Sequence, residues 1–277
     1  MNNFKRFALP YFIWLVILVI LPLLLLSLIS FSSMQLSLNF KTFRFNVDHM
    51  PTIYNEFIFN SFLNSFKIAF FTTIGCVLFG YPVAHIISMS KIKNKYLTLL
   101  LILFPMWICM LLRLNIIQSM LTSGGILSSY FGINVNLTGT EIGVIFVMIL
   151  MYIPFMILPI FTQLEKIDRS LFEASQDLGA SPVRTFVKVT LPLSMKGVTS
   201  GIIMVFLPSA TGFAISEVIG NGKIQLIGNV IESYISGSKG GTTQYNVGCL
   251  ISLIVIVLVL GTLLIISKID AEGETLL

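Results

Sequence analysis

The sequence predicts an all-α membrane protein of six transmembrane helices, and three observations carry that prediction. Hydrophobic residues fill 56% of the 277 positions and charged residues only 10%, against roughly 25% charged in an ordinary soluble domain. A soluble fold this poor in charge would have little with which to cover its surface. Five long stretches, 7–40, 68–90, 142–164, 197–216 and 240–267, contain no Asp, Glu, Lys or Arg, and each can hold the about 20 apolar residues that a spanning helix needs. The basic residues gather in short segments between these stretches. The formal charge of +5 is therefore read as membrane topology and not as a nucleic-acid footprint.

The first span is expected at 8–31. Lys5 and Arg6 precede an apolar run from Ala8 to about Phe31. That run exceeds the ~7–15 residues of a signal h-region and no A-x-A-like site follows it, so a retained helix is expected. The second span, 64–89, carries Lys67 near its start, where it reads as an interface anchor. The third, 96–119, is interrupted by Arg113. The fourth, 142–163, contains Pro154 and Pro159, and the fifth, 198–219, contains Pro208. Proline frees backbone carbonyls, which neighbours or a pore lining can satisfy, so a bland kink and a pore-lining break both fit. The sixth span is 247–267.

With the N-terminus inside, the inner segments hold Lys5, Arg6, Lys91, Lys93, Lys95, Lys166, Arg169, Arg184, Lys188, Lys196 and Lys268. The outer loops hold Lys41, Arg44, Lys223 and Lys239. Eleven basic residues against four place both termini in the cytoplasm of a multi-pass plasma-membrane protein. Cys76, Cys109 and Cys249 lie in apolar stretches with no disulfide or zinc spacing, and read as small buried hydrophobes. His49 and His85 are isolated and take no role. The 237–242 run lacks the residue order of a phosphate loop.

The longest inner segment, 164–197, has the clearest local structure. Ser170 and Glu173 have the spacing of a capping box, in which each side chain satisfies a free amide at a helix start. Leu171, Ala174, Ser175 and Leu178 then form a narrow stripe at helical spacing. Gly179 can take the left-handed conformation that ends a helix. Ser181 and Pro182 open another helix, and Leu191 with Pro192 is expected to stop it. Two short helices meeting at a right-angled break would lie on the cytoplasmic face, against a partner or against lipid.

These residues resemble the signature of the permease subunits of binding-protein-dependent ABC importers, E-A-A-x3-G-x9-I-x-L-P. Here it stands as Glu173, Ala174 and Ser175, then Gly179, Val189, Leu191 and Pro192, with every spacing kept. Ser for the third Ala and Val for Ile are mild departures. Further runs resemble the spermidine/putrescine branch of that family, and within it the longer of the two permeases. They are Gly80-Tyr81-Pro82-Val83-Ala84, Pro105 and Trp107 with Leu112 and Arg113, Leu164-Glu165-Lys166-Ile167-Asp168, and Leu226-Ile227-Gly228-Asn229. The chain departs from the family at Lys196, where Pro is usual, and at 244–249, where a W-P-x-G-A run is usual.

The resemblance implies a type I ABC importer permease fold over a single transmembrane domain, 1–277, with core 60–266 and a coupling loop at 164–197. It implies that Glu173, Ala174, Ser175, Gly179, Leu191 and Pro192 dock and shape a coupling helix in a groove of an ATPase. The partners so implied are an ABC ATPase subunit dimer, a second permease subunit, an extracytoplasmic substrate-binding protein, a polyamine substrate and the lipid bilayer, with no nucleic acid. ATP would be bound by the partner, so the chain itself would be no enzyme and need neither cofactor nor metal. Glu217, Arg113 and Trp107 are the candidates for the substrate path. An intramembrane charge costs at least ~2.5–3.5 kcal/mol and so faces a cavity or a partner, unless it snorkels to the interface; both readings stand for Arg113 and for Glu217. An importer for another small solute (iron, thiamine, sulfate) is the alternative. An ion-coupled secondary transporter would need mid-membrane carboxylates, which the chain scarcely offers.

Overall fold

The computed structural model describes residues 2–33, 44–90, 93–125, 136–237 and 243–274. Among these there is no strand, only an isolated antiparallel bridge between Ser32 and Phe45. The helices are α1 (Asn2–Ser30), α2 (Glu56–Met89), α3 (Lys95–Leu103), α4 (Met110–Leu121) and α5 (Glu141–Leu164). They continue as α6 (Arg169–Asp177), α7 (Pro182–Thr211), α8 (Ala214–Ile219), α9 (Ile227–Ser236) and α10 (Tyr245–Glu274). Five apolar segments are long enough to cross a membrane: Pro10–Ser30, Glu56–Met89, Glu141–Leu164, Pro182–Thr211 and Tyr245–Leu264. A bent pair, Lys95–Trp107 with Met110–Leu121, makes the sixth when counted as one span. The all-helical, six-span reading therefore holds, and three of its details change.

The third span is broken, not continuous over 96–119. Its halves meet at 87° because Pro105, in the 3-10 turn Phe104–Trp107, has no amide to donate. Ile108 and Cys109 are then extended. The fifth span is shifted. Its helix starts at Pro182 and ends at Thr211, where Gly212 turns extended. Glu217 consequently sits on the separate short helix α8 and not in the span. Pro192 does not stop a helix either. The chain widens into a π turn, Phe186–Thr190, just ahead of it. The amide of Leu191 reaches back to the carbonyl of Phe186, and this looser turn relieves the clash that a proline makes with the carbonyl four residues earlier.

Contacts divide the chain into two units, 1–60 with 230–260 and 61–229 with 261–277. In the first, the apolar window of α1 is not buried in protein at all, as suits a helix solvated by lipid. Its end is held by His49, whose Nε2 bonds the Ser30 carbonyl at 2.7 Å, so this histidine has a structural role. The Asn246 amide donates to the Ser32 carbonyl at 3.4 Å.

The second unit is built round α5, where Met148, Met156, Ile160 and Phe161 are fully buried or nearly so. Thr140 caps this helix by accepting from the Gly143 amide, and it runs unbroken through Pro154 and Pro159. Small residues let the neighbouring helices approach. A Cβ at Gly197 of α7 would stand 2.8 Å from the Pro159 carbonyl, and one at Gly201 2.5 Å from the Met156 sulfur. Lys67, read as an interface anchor, pairs with Glu141 at 2.6 Å, both side chains being about half exposed.

Candidate coupling surface and substrate path

Between α5 and α7 the chain makes a helix–turn–helix whose geometry follows from a few side chains. Lys95 pairs with Glu165 at 2.8 Å, Ser88 donates to the same carboxylate at 3.1 Å, and Lys95 also donates to the Ser88 carbonyl. The ends of α2 and α5 and the start of α3 are thereby tied together where the connector begins. The cap of α6 is Asp168, whose carboxylate accepts from the Ser170 amide at 3.0 Å. This corrects the expected capping box: the helix starts at Arg169, so Ser170 lies inside its first turn. The backbone amide and hydroxyl of Ser170 hold the Asp168 carboxyl below the usual carboxylate range.

Gly179 ends α6 with φ +76°, as expected. The Ala180 amide bonds the Ser175 carbonyl at 3.1 Å and the Gly179 amide bonds that of Gln176 at 2.8 Å. These are the two bonds of a Schellman motif, which a left-handed residue makes possible. Ser181 accepts from the Arg184 amide and Pro182 occupies the first turn, also as expected. The Ser175 and Thr185 hydroxyls bond across the turn at 2.9 Å.

One face of this element turns toward α2 and α7 and the other is open. Phe172 and Gln176 line a cavity of about 230 Å³ with His85, Met89, Pro182 and Phe186. The His85 ring meets Phe186 edge-on with centroids 5.1 Å apart, and Tyr81 bonds Ser194 at 2.8 Å. On the other face Leu171, Leu178 and Val183 are exposed, Leu178 to 88%. Glu173 and Ala174 are exposed too, Ser175 is half-buried, and Leu191 and Pro192 are half-buried in α7.

Glu217 is half-buried on α8 and accepts from Asn229 Nδ2 at 3.0 Å. Asn229 is 2% exposed, and its carbonyl oxygen also receives the Ser216 hydroxyl at 2.5 Å and the Leu226 amide at 3.2 Å. A Cβ at Gly228 would stand 2.4 Å from the Thr211 carbonyl, so only glycine lets this turn lie against the end of α7. The Ser65 hydroxyl accepts from the Ile227 amide at 2.7 Å. The 226–229 run is thus the platform that orients Glu217, a role that sequence reading missed. Gln118 of α4 donates to the Val218 carbonyl at 2.7 Å, joining α4 to α8.

The three path candidates are not gathered into one site. Arg113 donates to the Pro105 carbonyl at 3.0 Å and braces the break of the third span. Trp107 is 79% exposed. Among the described residues no group of three or more His, Cys, Asp or Glu could hold a metal ion.

Spanning helices broken at Pro105 and Gly212, a polar platform beside one break and an open helix–turn–helix define a membrane-embedded transport component. The chain belongs to the binding-protein-dependent transport system inner membrane components, whose family matches residues 77–268. It is 33% identical over 288 residues to the spermidine/putrescine transport system permease protein PotB of Haemophilus influenzae, covering 98% of both chains. It is 29% identical over 269 residues to the protein of the same name from Escherichia coli, covering 94% of this chain and 98% of that one. Its fold matches a chain of a bacterial ABC transporter that imports the acidic polysaccharide alginate, with a TM-score of 0.73 at 17% identity over 98% of this chain and 95% of the other.

Proposed function

We propose that this chain is the transmembrane permease of an ATP-driven polyamine importer, forming the translocation path and taking its power stroke from a separate ATPase. The observation that carries this reading is the open face of α6 and its Schellman turn. Leu171, Leu178 and Val183 stand in solvent on an element whose other face shares a cavity with residues of α2 and α7. Exposed apolar side chains rimmed by polar ones mark a docking surface, and Glu173, Ala174 and Gly179 lie in it. The full-length likeness to permeases named for spermidine and putrescine supports the solute.

In this reading the 164–197 segment and both termini are cytoplasmic, and an ATPase dimer binds and hydrolyses ATP while this chain binds no cofactor. A second permease and an extracytoplasmic binding protein complete the importer. Closure of the ATPases moves α6. The π turn, the ring pair of His85 and Phe186, and the bond from Tyr81 to Ser194 then pass the displacement into α2 and α7. Pro192, just beyond the π turn, keeps that helix from straightening. On the other side a protonated amine loses water on leaving the binding protein, and the Glu217 carboxylate offsets part of that loss.

The test is purification of the tagged chain from its native membrane. An ABC ATPase should copurify, and the reconstituted assembly should take up spermidine only with ATP and binding protein. Uptake driven by an ion gradient without ATP would refute the proposal.

A further inference from the structure

The chain leaves the α7 helix at Gly212 and re-enters helix at Ala214, beside Tyr152 in the middle of α5. A helix broken at membrane depth bares backbone groups that only protein or a wet cavity can satisfy. Here the break borders a cavity of about 280 Å³, far larger than the about 30 Å³ that one water occupies. Tyr152 lines it and is only 9% exposed. A Cβ at Gly212 would stand 3.5 Å from the Tyr152 hydroxyl, so that hydroxyl is aimed at the break. It makes no hydrogen bond among the described residues. A buried polar group in that state is costly until a guest completes it.

The lining selects the charge of that guest. The Thr211 hydroxyl donates to the Leu207 carbonyl at 2.9 Å, so its oxygen can only accept. The Gly212 amide donates to the Pro208 carbonyl at 2.9 Å, and Pro208 has no amide to give. The C-terminal end of a long helix presents carbonyls and partial negative charge, and the end of α7 forms one wall. The rings of Tyr152 and Phe213 also line the cavity, and aromatic rings attract a cation. Met110 and Met148 add apolar, polarizable surface that suits methylenes. Among the described residues no charged side chain lines the space, so the guest brings the charge. We propose that this cavity takes one primary ammonium group of the polyamine as it crosses the membrane, the Tyr152 hydroxyl and the end of α7 accepting its N–H bonds. The proposal deepens the polyamine reading given above and rests on it. Glu217 lies one turn along α8, its amide bonding the Phe213 carbonyl at 2.9 Å. The cavity and Glu217 are then successive stations for a chain with two cationic ends.

The experiment is protection of a reporter thiol on the cavity wall. Met110→Cys is introduced with Cys76, Cys109 and Cys249 replaced by alanine, and the importer is purified from its membrane without binding protein. Methyl methanethiosulfonate, a small neutral thiol reagent, should label the new cysteine. Putrescine and n-butylamine, both ammonium ions at neutral pH, should slow that labelling severalfold. Butanediol, of the same length and uncharged, should not. With Tyr152→Phe added, about tenfold more putrescine should be needed for the same protection. That variant should melt no lower than its parent, since the hydroxyl gives up no bond within the chain. Equal protection by the diol, an unchanged putrescine requirement in the phenylalanine variant, or a thiol that never reacts would overturn the site. A lower melting temperature would overturn it too, by showing that the hydroxyl is bonded within the assembly. Spermidine uptake without protection by either amine would strike the site and leave the importer assignment standing. Protection in an assembly that moves no polyamine would keep the ammonium site and strike the solute.

Discussion

Replacing Gly179 by valine should abolish uptake while leaving the protein inserted and abundant. The residue has φ +76°, and a Cβ added there would meet nothing within 4 Å. A Cβ therefore meets no clash, and the cost considered is that of the left-handed backbone, about 1–2 kcal/mol for an L residue and at the upper end for a β-branched one. At about 2 kcal/mol the native turn is depopulated about thirtyfold, and both Schellman bonds to Ser175 and Gln176 go with it. Such a sum is small beside the stability of the whole fold, so the damage stays in the turn. Leu178 and Val183, on either side of it, would no longer hold one surface for the ATPase. Uptake of labelled spermidine, normalised to membrane abundance, should fall at least about tenfold. Gly179→Asn is the control, because asparagine tolerates the left-handed region; it should retain most activity. A Gly179→Val protein that transports normally, or an Asn variant as dead as the Val one, would refute the reasoning.

Glu217→Gln should keep an acceptor for Asn229, and hence abundance, while uptake falls severalfold; Glu217→Asp should retain more, and equal transport by all three would make Glu217 a merely interfacial residue. Lys95→Met leaves the Glu165 carboxylate partly buried without its ammonium, and thermal unfolding in detergent should show a loss of about 3 kcal/mol, with partial recovery in the Lys95→Glu/Glu165→Lys exchange; an unshifted melting curve sinks the claim that this pair ties α2, α3 and α5. In a cysteine-free background, cysteines at Lys93 and Arg184 should be shielded from impermeant thiol reagents in intact cells. Those at Lys41 and Gly240, which lie outside the described residues, should be labelled, and the reverse pattern would invert the topology.

Much of the architecture was legible because membranes impose a long-range rule on local composition. The charge-free stretches announced each span, and Gly179 announced its turn, since only a left-handed residue closes that motif. The misses have a common cause. Ser170 and Asp168 are both good caps, and the S-x-x-E spacing favoured the serine. The packed structure starts the helix two residues earlier on the aspartate. Pro192 reads as a stop only if the turn before it is α-helical; a π turn removes the conflict, and nothing in the local residues of 186–190 announces one. The apolar runs through Pro105 and Gly212 hide the breaks there, which is why Arg113 and Glu217 were assigned to spans 96–119 and 198–219; the breaks expected at Pro154 and Pro159 instead fall in an unbroken helix. The pairing of Lys95 with Glu165 and of Lys67 with Glu141 joins residues about 70 apart, and a single sequence holds no sign of it. Asn229 was singled out by its motif, but its role as the support of Glu217 needed the fold.

The π turn at Phe186–Thr190 also bears on how this helix can change length. A π turn is an α-helix holding one residue too many. Deleting a residue elsewhere in a helix swings everything beyond it by about 100°, turning lipid-facing side chains inward. Deleting one between 186 and 190 would only tighten the turn to α, leaving Pro182–Thr185 and Leu191–Thr211 facing as they do now. The π turn thus marks a place in this helix where a residue can be lost without altering which surface meets which.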